Sequence, residues 1–132
     1  MKILLLAIAI LVLVTGMVIW ESLFVADTTA SLLHAVEQMP DNIPTAEDLS
    51  GKNFVSFHHA YDTFCKIWRN TRWILNLFVG NAGTERIEGY LEETGVRYLA
   101  GDIPGYLSAR KKLIAELEKL RDLEKLSFDS FT

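Results

Sequence analysis

The sequence predicts an all-α protein, in which an N-terminal transmembrane helix continues into a small antiparallel bundle of three to four helices. Three observations carry this expectation. Ile3 to Trp20 is a run of eighteen residues without a charge. Beyond it, apolar residues recur at helical spacing in several stretches separated by Pro and Gly. No segment shows the alternation of β-branched residues that a sheet requires.

Ile3–Trp20 makes roughly 27 Å of helix, about the thickness of a bilayer's hydrocarbon core. A helix satisfies its own backbone polar groups in lipid. Ile3, Leu4, Leu5, Leu6, Leu11 and Val14 supply the lipid-facing surface, and Trp20 stands where an interfacial aromatic would stand. A cleaved signal peptide is one competing reading, but Val14-Thr15-Gly16 is a poor small-x-small site and the apolar run continues past it. A buried core helix is another, but this run is apolar on every side. The reading is therefore an uncleaved signal-anchor over residues 1–20. No Cys follows the apolar core, which excludes a lipoprotein anchor. Lys2 and the amino terminus are the positive charges before the span, and Glu21 and Asp27 are the first charges after it. That asymmetry predicts a single-pass protein of the cell membrane, N-terminus cytoplasmic and C-terminal domain extracytoplasmic. With only Lys2 and Met1 on the inner side, no cytoplasmic output domain is expected.

The span leaves about 112 residues, enough for one small domain and not two. The chain carries a net charge of −4, and Lys2 is its sole Lys or Arg before Trp20, so the remainder is more acidic still. Such a domain has little long-range attraction for nucleic acid, which is excluded as a partner. The single cysteine, Cys65, excludes an intramolecular disulfide.

Residues 21–39 keep a helical pattern as a stalk, with Phe24, Ala26 or Asp27, Ser31, Leu32 and Val36 on one face, until Pro40 stops it. Residues 40–53 are a linker, rich in Pro, Asn and Asp. The bundle domain is expected over 54–132. Its strongest helix is Phe54–Val79, with Phe54, Phe57, Tyr61, Phe64, Cys65, Trp68, Ile74, Leu75 and Phe78 on the stripe. Gly80-Asn81-Ala82-Gly83 ends it, and Thr84 is the expected N-cap of the next helix. That helix, Glu85–Ala100, offers Ile87, Tyr90, Leu91, Tyr98 and Leu99 as inner residues; Gly89 and Gly95 lower its propensity by about 1 kcal/mol each. Asp102 caps the last helix and Pro104 falls in its first turn. From Pro104 to Leu126, Tyr106, Leu107, Leu113, Ile114, Leu117, Leu120 and Leu123 form a near-heptad stripe. The alternating tail Leu126–Phe131 is expected to pack back as an extended clip. Short connections place successive helices antiparallel, the stalk joining as a fourth.

From Trp68 onward the order of motifs is a Trp-containing helix, Thr84–Leu91 (TERIEGYL), Gly101-Asp102, a Leu-rich helix and Glu124–Phe131 (EKLSFDSF). This order resembles a family of small uncharacterised single-pass membrane proteins, a domain of unknown function found mostly in Gram-positive spore-forming bacteria. The resemblance covers about Phe54 to the end. It implies one N-terminal membrane helix with a helical domain of this size, a link to sporulation, and a partner among larger membrane proteins encoded nearby. Members close on Leu-Ser-Leu-x-Asn-hydrophobic, which Leu126–Phe131 echoes. Where they often carry a His-Glu-Glu-like stretch, this chain has Asn81-Ala82-Gly83, so a function borne there would be missing.

Several clusters invite a chemical reading. His58, His59 and Asp62 are the metal-site candidates, since His58 and Asp62 share a helical face at i, i+4. Two ligands make no closed site, and a surface His–Asp pair explains them as well. Cys65 lies on the apolar stripe as a small buried hydrophobe; a nucleophile would want His58 or His59, one to two turns away on a poor vector. Lys66, Arg69 and Trp73, with Arg72 and Trp68, form a basic-aromatic patch that suits an interface or, near a membrane, phospholipid headgroups. Glu85, Glu88, Glu92 and Glu93 have no second group beside them in sequence for acid–base work. Gly-rich phosphate loops, serine elbows and HExxH are absent. No cofactor and no catalytic activity are expected. The expected role is that of a protein-interaction or accessory module, holding lipid through its N-terminal helix and binding a membrane protein or a second copy of itself. The surplus aromatics Trp68, Trp73, Phe78, Tyr98, Phe128 and Phe131 would serve core or interface. The alternative is a ligand- or metal-sensing outer domain.

Overall fold

The computed structural model of the chain describes the backbone of residues 1–131, and their side chains except those of Glu21, Ser22, Val25, Ala46, Asp48, Phe78 and residues 123–131. Three α-helices and one short 3₁₀ turn make up the described fold: α1 (Lys2–Glu37), the turn (Ala46–Leu49), α2 (Lys52–Leu99) and α3 (Ile103–Phe131).

α1 is one uninterrupted helix with two different halves. Lys2–Trp20 has a mean hydropathy of 3.0 and none of it is buried against the rest of the chain. It is long and apolar enough to cross a membrane. The second half buries Thr28, Thr29, Leu32, Leu33, Ala35 and Val36, and Met39 is buried just beyond its end. Leu32 and Val36 were expected inside, but Ala26, Asp27 and Ser31 are exposed. Stepping back from Met39 at three- and four-residue intervals leads to the threonines, small enough to pack closely, rather than to Asp27. The helix closes with Gln38 N–H donating to the His34 carbonyl and Met39 N–H to the Val36 carbonyl, after which Pro40 has no N–H to donate.

α2 is a helical hairpin. Gly80 alone leaves helical geometry, at φ 73° and ψ 175°, a backbone state in which a Cβ is strained. The limbs, 52–79 and 81–99, fold back on each other. Phe57 meets Tyr98, Trp68 meets Glu88 and Asn76 meets Thr84. The expected four-residue break therefore shrinks to one glycine. Thr84 caps nothing; it is buried inside the second limb, its hydroxyl 3.0 Å from Asn76 Oδ1 and from the Asn81 carbonyl. Gly95 is buried where a Cβ would stand 3.1 Å from the Tyr61 ring, so its lack of a side chain lets the limbs close together.

At the next turn Asp102 caps α3 as expected, its Oδ1 accepting from the Gly105 N–H at 3.0 Å. Pro104 sits in the first turn, where a missing N–H costs little. α3 then continues as helix to Phe131, and the extended clip is not formed. Extending an existing helix costs less than starting a new structure, and neither Ser nor Asp breaks one. The expected inner residue Leu123 and the aromatics Phe128 and Phe131 lie outside the described side chains.

The second half of α1, the two limbs of α2 and α3 thus make an up-down-up-down four-helix bundle. Leu32, Val36, Phe64, Leu75, Tyr106, Leu113 and Leu117 are essentially inaccessible at its centre. One end, here called the far end, gathers the close of α1, the 3₁₀ turn, the start and close of α2 and the start of α3. The hairpin tip at Gly80 marks the near end, on the side of the apolar half of α1.

Candidate functional site

Three packed rings build the far end. Phe57 lies flat on Tyr98 with centroids 3.9 Å apart, and Tyr106 stands edge-on to both. The two phenols then tie down the 40–51 connection: Tyr98 donates to the Leu49 carbonyl and Tyr106 to the Pro40 carbonyl, each at 2.6 Å. Burial raises both hydroxyls above the usual tyrosine range, Tyr106 strongly, where the nearby Arg110 only partly opposes it. Arg110 itself donates to the Glu37 carbonyl at the C-terminal end of α1, where a cation is favoured.

With those rings used inside, other apolar residues are left outside. Phe54 and Leu99, both expected in the core, are 42% and 73% exposed. They flank a depression of about 380 Å³ between the start of α2 and its close, floored by Leu49 and Tyr98. Val55 and Val96, on the same two segments, are also largely exposed. The helical stripe places Phe54 one turn before Phe57, but the bundle ends at Phe57 because the connection from α1 enters there. Sequence periodicity carries no signal for where a bundle stops.

A second concavity, of about 660 Å³, runs between α1 and the first limb of α2. Its walls include Ala30, Ala35, Ser56 and Ala60, with His34 and His59 on opposite helices. The structure therefore separates the expected metal candidates. His59 faces this groove, whereas His58 is exposed beside Phe54, and Asp62 pairs with Lys66 at 3.2 Å. Among the described residues no three His, Cys, Asp or Glu side chains come together as a metal site would need.

Cys65 is half-buried, and burial followed by the Asp62 carboxylate pushes its thiol above the usual range, with Arg69 opposing. A raised pKa leaves little thiolate for nucleophilic chemistry.

The basic-aromatic patch divides in two. Trp68 is buried and donates through Nε1 to Glu88 at 3.0 Å; Arg72 pairs with the same carboxylate. Burial alone would raise Glu88, but the hydrogen bonds from Arg72 and Trp68 and the Arg72 charge hold it below the usual carboxylate range. Sequence reading found no partner for Glu88 because its partners sit on the other limb, across the Gly80 reversal. Lys66, Arg69 and Trp73 remain exposed, Trp73 to 64%. Tyr98, counted among surplus aromatics, belongs to the core; Phe78 lies outside the described side chains.

Comparisons with protein-family models, with curated proteins and with solved structures return no match.

Proposed function

We propose that this chain is a membrane-anchored helical domain that binds a protein partner through the far end of its bundle and performs no catalysis. The observation that carries this reading is the exposed pair Phe54 and Leu99 at the depression, with Val55 exposed on the same segment as Phe54. Contiguous exposed apolar surface marks a place where something binds. Lipid is a poor occupant, because some 25 residues of helix separate this end from the Gly80 tip, about 40 Å. The anchor reading is supported by the exposed apolar half of α1 and by its unbroken passage into the bundle. The proposed orientation is supported by the cations near the span: Lys2 precedes it, and no Lys or Arg follows it before Lys52.

A photo-crosslinking amino acid placed at 55 or 99 in intact membranes tests the reading. Both positions are expected to give the same adduct, lost on Phe54→Glu, while a probe at exposed Lys111 gives none. Equal labelling from all three positions would count against it. An adduct of twice the chain's own mass would identify the partner as a second copy.

The groove holding His34 and His59 favours a second reading, a small ligand or metal sensed between α1 and α2. Thermal melts of the full chain with and without zinc test it. A rise in melting temperature that His59→Ala removes would support it, and no rise would oppose it.

A further inference from the structure

We infer that the Gly80 tip of the α2 hairpin is a second membrane contact, a wedge that enters the headgroup layer of the bilayer in which α1 is anchored. The inference rests on the anchor reading above and goes beyond it, since a single-span anchor needs no other lipid contact.

Three observations converge on it. Arg69, Trp73 and Leu77 follow each other at four-residue intervals, so they form one line down the outside of the first limb. All three are exposed, Leu77 to 73%. The order down that line is a cation, then an aromatic, then an aliphatic residue nearest the tip. It matches the order of a lipid surface from phosphate to acyl chain, with Trp at the boundary. Among the described residues, no carboxylate pairs with Arg69.

The second observation is charge. Residues 63–84 contain Lys66, Arg69 and Arg72 and no Asp or Glu, in a chain whose net charge is −4. Lys66 pairs with Asp62 and Arg72 with Glu88, so Arg69 is the cation of this stretch left to meet a phospholipid phosphate.

The third is register. The groove between α1 and the first limb is lined by Gln38 with Ser56 at one end and by Ala30 with Ile67 at the other. Continuing that antiparallel pairing brings Trp73 level with residues 21–24 of α1 and Leu77 level with residues 17–20. Leu77 therefore stands beside the end of the apolar span, and Gly80 lies about one turn, roughly 5 Å, deeper. Trp20 and Leu23, exposed at the same level of α1, extend the apolar surface.

The test uses the full chain in phosphatidylcholine–phosphatidylglycerol vesicles. Cys65→Ser removes the native thiol, and Leu13→Cys, Val55→Cys or Leu77→Cys then takes an environment-sensitive fluorophore at an exposed position. Lipids with a spin label near the headgroup or near the acyl terminus report depth, and aqueous iodide reports exposure to water. The label at 13 is expected to lose most of its emission to the deep quencher, and the label at 77 to the shallow one, with protection from iodide. The label at 55 is expected to respond to iodide alone. If 77 behaves like 55 while 13 is quenched by lipid, the wedge is wrong and the anchor stands. If 13 escapes both lipid quenchers, the anchor falls and the wedge with it. Leu77→Asp, read by a label at the exposed position 82 (Ala82→Cys), is expected to shift the tip into water without altering the circular dichroism of the bundle. Continued shallow quenching in that variant would overturn the role given to Leu77.

Discussion

A few polar atoms fix the bundle's ends at the scale of single residues. Tyr106 is fully buried, with its hydroxyl on the Pro40 carbonyl. Tyr106→Phe leaves that carbonyl without its donor and is expected to cost about 1 kcal/mol, read by chemical denaturation. The raised pKa of Tyr106 also has a sign. Its stabilising contribution is full below the unfolded value near 10.0 and is lost as pH rises past it, because the unfolded chain then sheds the proton first. An alkaline titration of stability should therefore fall above that value, and less steeply in Tyr106→Phe. Glu88 works in the opposite direction. Held below the ordinary glutamate value of 4.5, it stabilises the fold above that pH and ceases to as pH falls through its lowered value. Glu88→Gln is expected to flatten the acid limb of thermal melts by a modest amount, since both it and Arg72 are more than a third exposed. None of these partnerships was legible in the sequence. Tyr98 finds Leu49 and Tyr106 finds Pro40 only after the chain has reversed several times.

The helices themselves follow closely from composition and spacing. Pro40 closes α1, Asp102 caps α3, and the stripe of Phe57, Phe64, Trp68 and Leu75 is inside. Gly80 was readable as a stop, but glycine content alone could not say which residue of Gly80-Asn81-Ala82-Gly83 takes the left-handed angle. A Cβ at Gly80 meets no neighbouring atom, yet φ is 73°. Gly80→Ala should therefore destabilise through backbone strain alone, by about 1–3 kcal/mol. Gly89 is the useful contrast: it is helical and exposed, with open space around it. Gly89→Ala should stabilise by about 0.5–1 kcal/mol. Paired denaturation curves on the two variants would separate angle from packing. Misreadings occur where a stripe outruns its bundle, as at Phe54 and Leu99, or where small polar residues replace apolar ones, as at Thr28 and Thr29.

For the whole molecule, the sequence specified four antiparallel helices on an apolar lead, and the fold has that form. It did not reveal that the hairpin tip lies beside the apolar lead, because that depends on the register between α1 and α2. Nor did it reveal which aromatics stay outside. Trp68 and Trp73 look alike in sequence, yet one is bound to Glu88 and the other faces outward. The two exposed apolar clusters lie at opposite ends of the bundle. A variant damaged at the far end, such as Phe54→Glu, should lose its crosslinked adduct yet keep the lipid quenching of a label at 77. That independence distinguishes two separate surfaces from general unfolding.

The unbroken passage of α1 from Lys2 to Glu37 has a mechanical consequence. With no joint between span and body, the body must lean whenever the span leans. A lean of about 20°, ordinary for a single span, would carry the end of α1 sideways by roughly 9 Å over its last 18 residues. The hairpin tip, braced on one side like an outrigger, would let the rod heel away from it more easily than toward it. In the anchored state proposed above, bilayer thickness would then set where Leu99 is presented, turning a passive tether into a gauge of the lipid beneath it.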